Sequence, residues 1–118
     1  EPEFNRTFIH VRDLSKSFVF AINNWAKLKN EIYNVGDSKM NKTKRQISDI
    51  ISLRTGALVE YKNFDFDKDK RDYSLDFGKI KRAGFRTTVS IETGVDELIQ
   101  ACALSDFRDP YVNASLLT

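Results

Sequence analysis

Three basic side chains have the clearest capacity for chemistry in this sequence, namely Arg6, Arg71 and Lys79. Arg6 opens a short apolar run, Arg71 lies in a densely charged segment, and Lys79 falls in the first turn of a predicted helix. An arginine guanidinium offers parallel N–H donors that match the oxygens of a phosphate group. These residues predict an anion site. The alternative, which composition alone favours, is that they are ordinary solvated surface charges.

Residues 67–80 combine this dense charge with the start of a helix. The segment begins as a run of acidic and basic residues, which a protein core would not accommodate. Tyr73 and Leu75 then alternate with polar neighbours, as in a half-buried strand, and Asp76 follows as a candidate helix cap. Charged loops that end against a helix N-terminus are suited to holding anions.

Other chemistry is largely excluded by the residue inventory. His10 is the single histidine and Cys102 the single cysteine, so neither belongs to a recognisable metal site. We interpret His10 as a structural histidine and Cys102 as a small packed residue. Walker, zinc and Gly-x-Ser-x-Gly motifs do not occur, and the five glycines are too scattered for a dinucleotide-binding fingerprint.

Length and composition favour one ordinary domain. The 118 residues are 41% hydrophobic, which predicts a single domain over 1–118 with irregular ends at 1–5 and 106–118. Nineteen basic and seventeen acidic residues are interleaved, which argues against a nucleic-acid partner. The chain shows no signal peptide and no long apolar run, and it has one cysteine. These features predict a soluble protein without a membrane partner, in the cytoplasm.

Periodicity predicts an α/β fold, a small domain of short strands and about four helices. The first helix, 13–29, is amphipathic, with an apolar face of the kind that normally packs on a core. The predicted strands are 7–11, 31–35, 57–61 and 73–75. The predicted helix starts are Asp13, Thr43, Asp76 and Ser90, and Gly56 and Gly84 end the second and third helices. Gly94, inside the last helix, predicts a close contact there.

Five short blocks, taken in order, resemble the C-terminal part of extended short-chain dehydrogenases/reductases. They are 6–14 (RTFIHVRDL), 32–36 (IYNVG), 69–73 with 76–80 (DKRDY and DFGKI), 84–85 (GF) and 92–95 (ETGV). More narrowly, residues 6–113 are similar to the NAD-dependent nucleotide-sugar epimerases and dehydratases. The resemblance implies that this chain is the C-terminal portion of a Rossmann-type fold.

This resemblance implies an enzyme that binds NAD or NADP on an N-terminal Rossmann domain and a nucleotide-diphosphate sugar on a smaller C-terminal domain. In such enzymes a hydride passes from the sugar to the nicotinamide and later returns. The catalytic Tyr-x-x-x-Lys pair and the glycine-rich loop belong to the N-terminal part and are not in this sequence. The resemblance therefore implies a fragment that is catalytically inactive and binds no cofactor by itself. It also implies a homodimeric whole enzyme, and the fragment is expected to self-associate.

The resemblance implies a role in substrate binding for two residues of this chain. Arg6 matches the family arginine that reaches the diphosphate, and Arg71 matches the arginine near the phosphates or ribose. Relatives often carry a further arginine upstream in this loop, where only Lys68 could substitute here. Tyr73 and Lys79 also match family positions, and we interpret them as structural, as we do Asp76.

A second hypothesis is a free-standing, non-enzymatic protein-interaction domain whose basic residues simply face solvent. The residues present do not distinguish an epimerase from a dehydratase or a reductase. They also do not specify the sugar, or NAD against NADP.

Overall fold

The computed structural model describes residues 2–61 and 71–104, and these form a mixed α/β arrangement in which helices predominate. The elements, in chain order, are β1 (Asn5–Thr7), α1 (Val11–Asn23), α2 (Trp25–Leu28), a 3-10 turn (Ser38–Met40), β2 (Asn41–Thr43), α3 (Lys44–Thr55), α4 (Gly78–Ala83) and α5 (Ile91–Leu104). The predicted four helices are all found, the first of them divided into α1 and α2. Among the described residues, no helix is long and apolar enough to cross a lipid bilayer.

The one sheet of the described residues pairs β1 with β2. The strands run antiparallel, with Arg6 opposite Lys42 at the centre of the register. Pairing continues one residue further, because the Phe8 N–H donates to the Met40 carbonyl at 3.1 Å. This small ladder joins the N-terminal residues to the entry of α3.

The predicted strand 7–11 is wrong over most of its length, because the ladder ends and the chain turns into a helix. His10 is the N-cap of α1, and its Nδ1 accepts a hydrogen bond from the Arg12 N–H at 3.1 Å. A side chain that caps a helix satisfies an amide that has no partner inside the helix. The predicted cap Asp13 instead lies inside the first turn.

The other three predicted strands, 31–35, 57–61 and 73–75, are also not observed. A strand needs a neighbouring backbone, and these segments are bonded mainly by side chains. The Asn41 side chain, for example, donates to the Leu75 carbonyl at 3.0 Å and accepts from the Leu75 N–H at 3.3 Å. An asparagine amide thus occupies the place where a partner strand would be.

Local sequence signals located the helix ends well. Thr43 and Gln46 form a reciprocal capping box at the start of α3, as the prediction of a Thr43 cap requires. Gly56 and Gly84 both end their helices in the left-handed conformation, with φ of 73° and 114°. Ser90 accepts from the Thr93 N–H at 3.0 Å, so it caps α5 as predicted.

The predicted cap Asp76 is one residue away from the observed N-cap of α4, which is Phe77. Its carboxylate still accepts from the Gly78 N–H at 3.0 Å, so it does serve the first turn of the helix. Gly94 in α5 has the predicted close contact, because a Cβ built there would lie 3.2 Å from His10 Cδ2.

The core of the described residues is small and centred on α4. Phe77 is fully buried, and Ile80 and Phe85 pack with it. The half-buried side chains around this cluster are Phe20, Tyr33, Val35 and Leu75. Gly36 allows the approach of Phe77, because a Cβ at position 36 would come within 2.7 Å of the phenylalanine ring.

Helix α1 faces the protein with its polar side, contrary to the expectation from its sequence pattern. Asp13 and Ser17 are buried, whereas Phe18 and Ile22 are mostly exposed. Asp13 accepts hydrogen bonds from the backbone of residues 88 and 89, and these bonds set the rotation of the helix. The apolar face therefore points away from the described part of the chain.

Candidate functional site

The sequence-predicted site residues lie in two segments that the structure connects. Arg6 is at the centre of β1, and Arg71 begins the second described range. The Asn5 backbone N–H and its side-chain amide both donate to Asp72 Oδ1, at 2.8 and 3.0 Å. Hydrogen bonds thus join the residue before Arg6 to the residue after Arg71, although the two bonded residues are 67 positions apart in the chain.

The Arg6 side chain is held beside the same segment. Its guanidinium carbon lies 5.7 Å from the centre of the Tyr73 ring, and Nη1 donates to the Asn5 carbonyl at 2.8 Å. A cation over an aromatic face is attracted by the ring quadrupole. Arg6 is half-buried and Arg71 is exposed, and both have interaction partners within the protein. These contacts bring Arg6 to the segment that begins with Arg71.

Lys42 is a third basic residue at this place, and sequence reasoning missed it. It lies directly opposite Arg6 in the antiparallel register, so the two side chains are on the same face of the ladder. Like charges opposite each other destabilise a ladder, and acidic neighbours offset this repulsion here, because the charge of Arg6 acts on Asp72 and that of Lys42 acts on Glu92. No sequence signal points to Lys42 alone, because its position across from Arg6 depends on strand register. We call Arg6, Lys42 and Arg71 the basic cluster.

Asp72 supplies a negative charge next to the basic cluster. Hydrogen bonds from the Asn5 backbone and side chain lower the pKa of its carboxyl group; desolvation opposes them and the charge of Arg6 assists. Asp72 is therefore ionised at neutral pH. Its charge interacts with that of Arg6, so one carboxylate offsets part of the positive charge of the cluster.

Lys79 lies in the first turn of α4, as interpreted, whereas Tyr73 is not in a strand and Asp76 bonds the Gly78 N–H without being the N-cap. Lys79 Nζ donates to Glu31 Oε2 at 2.6 Å and to the Ile32 carbonyl at 2.9 Å. Its ammonium group also lies 4.7 Å from the centre of the Tyr33 ring. Lys79 thus connects α4 to residues 31–33 and does not belong to the basic cluster. Lys68 lies outside the described residues.

A separate apolar groove of about 630 Å³ lies between the N-terminus of α1, helix α3 and helix α5. Its walls include Ile47 and Ile51 of α3, Val95 and Leu98 of α5, and Val11 of α1. The volume is in the range of small-molecule sites, and the lining is mainly hydrophobic, as is common in such sites.

One wall of the groove is polar, and its charges are mutually satisfied. Arg12 Nη2 donates to both carboxylate oxygens of Glu97 at 3.0 Å, and His10 Nε2 lies 3.1 Å from Glu97 Oε2. Because His10 Nδ1 accepts from the Arg12 N–H, the ring proton is assigned to Nε2, which donates to Glu97. His10 is thus a positioned structural histidine, as predicted, and it joins α1 to α5.

Groups for metal or thiol chemistry are not assembled in the part of the chain that the structure describes. Residues 2–61 and 71–104 contain no group of three or more His, Cys, Asp or Glu residues that could hold a metal ion. Cys102 is exposed on α5, so the prediction that it is a packed residue is wrong. The face of α5 that carries Cys102 has no described neighbour to cover it.

Compared with models of known protein families, the chain matches none. The resemblance to nucleotide-sugar epimerases and dehydratases therefore rests on the five short blocks of the sequence. What those blocks imply about activity enters only as a proposal.

Proposed function

We propose that this chain is the substrate-binding portion of an NAD(P)-dependent nucleotide-sugar epimerase or dehydratase, in which the basic cluster holds the diphosphate of the sugar nucleotide. The observation that carries the proposal is the pairing of Asn5 with Asp72, which brings the segments of Arg6 and Arg71 together. Two guanidinium groups on neighbouring segments are well suited to a diphosphate. Lys42, opposite Arg6 in the ladder, adds a third positive charge that would attract a diphosphate.

In this proposal, the groups that carry out the reaction are not in this sequence. A Rossmann domain, with the glycine-rich loop and the Tyr-x-x-x-Lys pair, would bind NAD or NADP and supply the catalytic groups. The described residues would then bind and orient the nucleotide. The chain alone is proposed to bind nucleotide diphosphates weakly and to be catalytically silent.

Titration with a uridine or thymidine diphosphate, followed by NMR or calorimetry, tests this proposal. We expect weak saturable binding, and a loss of about tenfold in affinity in Arg6→Ala and in Arg71→Ala, since a charge-assisted hydrogen bond contributes about 1.5–3 kcal/mol. Nucleoside without phosphate should bind much more weakly. Chemical-shift changes should map to residues near β1 and residue 72.

Arg82→Ala is the matched control, because it removes the same charge from an exposed position on α4. Affinity should be unchanged in this variant. Equal weakening in all three variants would indicate a general effect of charge, and undiminished binding in both Arg6→Ala and Arg71→Ala would contradict the assigned roles.

A second candidate function, a protein-interaction domain without enzymatic activity, is favoured by the exposed apolar face of α1. Under this hypothesis the basic cluster has no nucleotide ligand. Absence of any nucleotide binding, together with tight binding of a different protein to the chain, would support it over the enzyme proposal.

A further inference from the structure

Helix α1 and the first residue of α2 present a continuous row of apolar side chains to solvent. Val11, Phe18, Ile22 and Trp25 are between 65% and 73% exposed, and Leu14 between them is 37% exposed. We call these five residues the α1 stripe. At 100° per residue, its four α1 members fall within about 80° of the helix circumference. They therefore form one face and not a scatter of isolated residues.

The orientation of this face is fixed by the protein. The opposite side of α1 is attached to the residues before α5, because Asp13 Oδ2 accepts from the Thr88 and Val89 N–H groups, both at 2.8 Å. Phe20 packs on Phe85 with their ring centres 5.5 Å apart. Rotation of α1 to bury the stripe would break these contacts and expose a carboxylate that is now fully buried.

The stripe is free of charge and large for an exposed patch. The charged residues of α1, such as Arg12 and Lys16, are more than 100° around the helix from its centre. Two large aromatic and three aliphatic side chains at these exposures offer on the order of several hundred Å² of apolar surface. The largest apolar patch on a typical monomer is about 300–600 Å² and is often functional, and a standard interface buries about 800 Å² per partner, so the stripe could supply the apolar centre of such an interface.

The spacing of the stripe fits a second copy of the same helix. The intervals from Val11 to Trp25 are three, four, four and three residues, so the pattern is the same in both directions about Phe18. An antiparallel pair with its two-fold axis at Phe18 would place Phe18 against Phe18 of the other copy. The same axis would place Leu14 against Ile22 of that copy. Self-complementary patches of this kind generate closed dimers.

We propose that α1 is a homodimer interface, in which the α1 stripes of two copies pair antiparallel across a two-fold axis at Phe18. This surface is distinct from the basic cluster, so the proposal stands independently of nucleotide binding. It gives the expected self-association a specific surface, one made by helix pairing.

The test uses opposite charges at the axis position. Sedimentation velocity of the 118-residue chain, over about two orders of magnitude in concentration, should show a reversible monomer–dimer equilibrium. Phe18→Lys and Phe18→Glu should each be monomeric, because position 18 meets its own copy and like charges repel. An equimolar mixture of the two variants should recover the dimer, since the mixed pair places opposite charges at the axis.

Ile32→Lys and Leu53→Lys are the controls, because both residues are more than 80% exposed and lie off the α1 stripe. They should leave the dimer unchanged. Circular dichroism should show that all variants keep the native helix content, as expected for substitutions of exposed side chains.

A chain that is monomeric at every concentration would overturn the proposal. The α1 stripe would then be covered by another segment of the protein or by another protein, and not by a second copy. Association that persists in both Phe18 variants would overturn it as well. If association is instead lost in Leu98→Lys, the groove between α3 and α5 is the contact and the α1 assignment is wrong. Failure of the mixture to recover the dimer would exclude a two-fold axis at Phe18.

Discussion

At the scale of single residues, Asp13 is the side chain on which the orientation of α1 most depends. Its carboxylate accepts from the Thr88 hydroxyl and from the backbone N–H groups of Thr88 and Val89, each at 2.8 Å, and Lys16 Nζ lies 3.5 Å away. Burial raises the pKa of Asp13, but these hydrogen bonds and the charge of Lys16 outweigh it, so the pKa is lowered. The ionised carboxylate of Asp13 is stable in this buried position because N–H and O–H donors of the protein hydrogen-bond to both of its oxygens.

We predict that Asp13→Asn lowers the free energy of unfolding by about 2–3 kcal/mol at neutral pH, because the amide presents an N–H₂ group where the protein supplies donors. Asp49→Asn removes the same charge from an exposed position of α3 and should change stability little. Urea denaturation followed by circular dichroism measures both.

The same substitution predicts a pH dependence. Since the folded pKa of Asp13 is lowered, its stabilisation is complete above the unfolded value near 3.8 and is lost as pH falls through the folded pKa. The difference in stability between the native chain and Asp13→Asn should therefore shrink at acidic pH. A difference that stays constant down to the lowest pH at which the chain folds would show that Asp13 does not stabilise the fold as an ionised group.

At the scale of elements, helix ends are specified by a few residues and can be tested separately from packing. Helix α3 has no fully buried residue, so its N-terminal cap contributes a larger share of its stability. The Thr43 hydroxyl accepts from the Gln46 N–H at 3.1 Å, and the Gln46 side chain accepts from the Thr43 N–H at 3.0 Å. Arg54 further joins α3 to α5 through Asp96, at 2.7 Å.

We predict that Thr43→Ala costs about 1 kcal/mol and reduces helix content at low denaturant, since one amide of the first turn loses its acceptor. Thr43→Ser keeps a hydroxyl at the cap and should be within a few tenths of a kcal/mol of the native chain. If both variants were equally destabilised, the lost methyl contacts and not the cap would be responsible. Thermal and urea unfolding provide the comparison.

At the scale of the whole molecule, few apolar side chains hold the described residues together. The buried ones are Leu28, Met40, Phe77, Ile80, Phe85 and Val89. Small domains have stabilities of roughly 5–15 kcal/mol, so one central side chain is a large share of the total. Phe77 is the most deeply buried of the six, and it contacts elements from both described ranges.

We predict that Phe77→Ala destabilises the fold by about 3–5 kcal/mol, through lost burial and the cavity left behind, and leaves much of the chain unfolded at room temperature. Leu53→Ala, at a largely exposed position of α3, is the control and should have little effect. Hydrogen exchange would show whether the loss spreads to β1 and α3. If the amides of β1 and α3 stay protected from exchange in Phe77→Ala, these two elements fold independently of the core around α4.

Local chemistry made part of this structure predictable from the sequence alone. The helix periodicity, the Thr43 and Ser90 caps and the glycine ends at Gly56 and Gly84 depend on neighbouring residues, and all of them are found. The strands could not be predicted in this way, because a strand exists only where another backbone is placed beside it. Of the four predicted strands, only Thr7 of the first lies in an observed strand, and Phe8 extends the pairing by one hydrogen bond.

Only the tertiary structure shows which residues of the candidate site lie beside each other. The sequence named Arg6 and Arg71, but the bond between Asn5 and Asp72 and the position of Lys42 opposite Arg6 follow from the register of distant segments. It also decided which side of α1 is inside. The periodic apolar face predicted burial, whereas the hydrogen bonds of Asp13 hold that face toward solvent, because satisfying a buried charge outweighs the pattern.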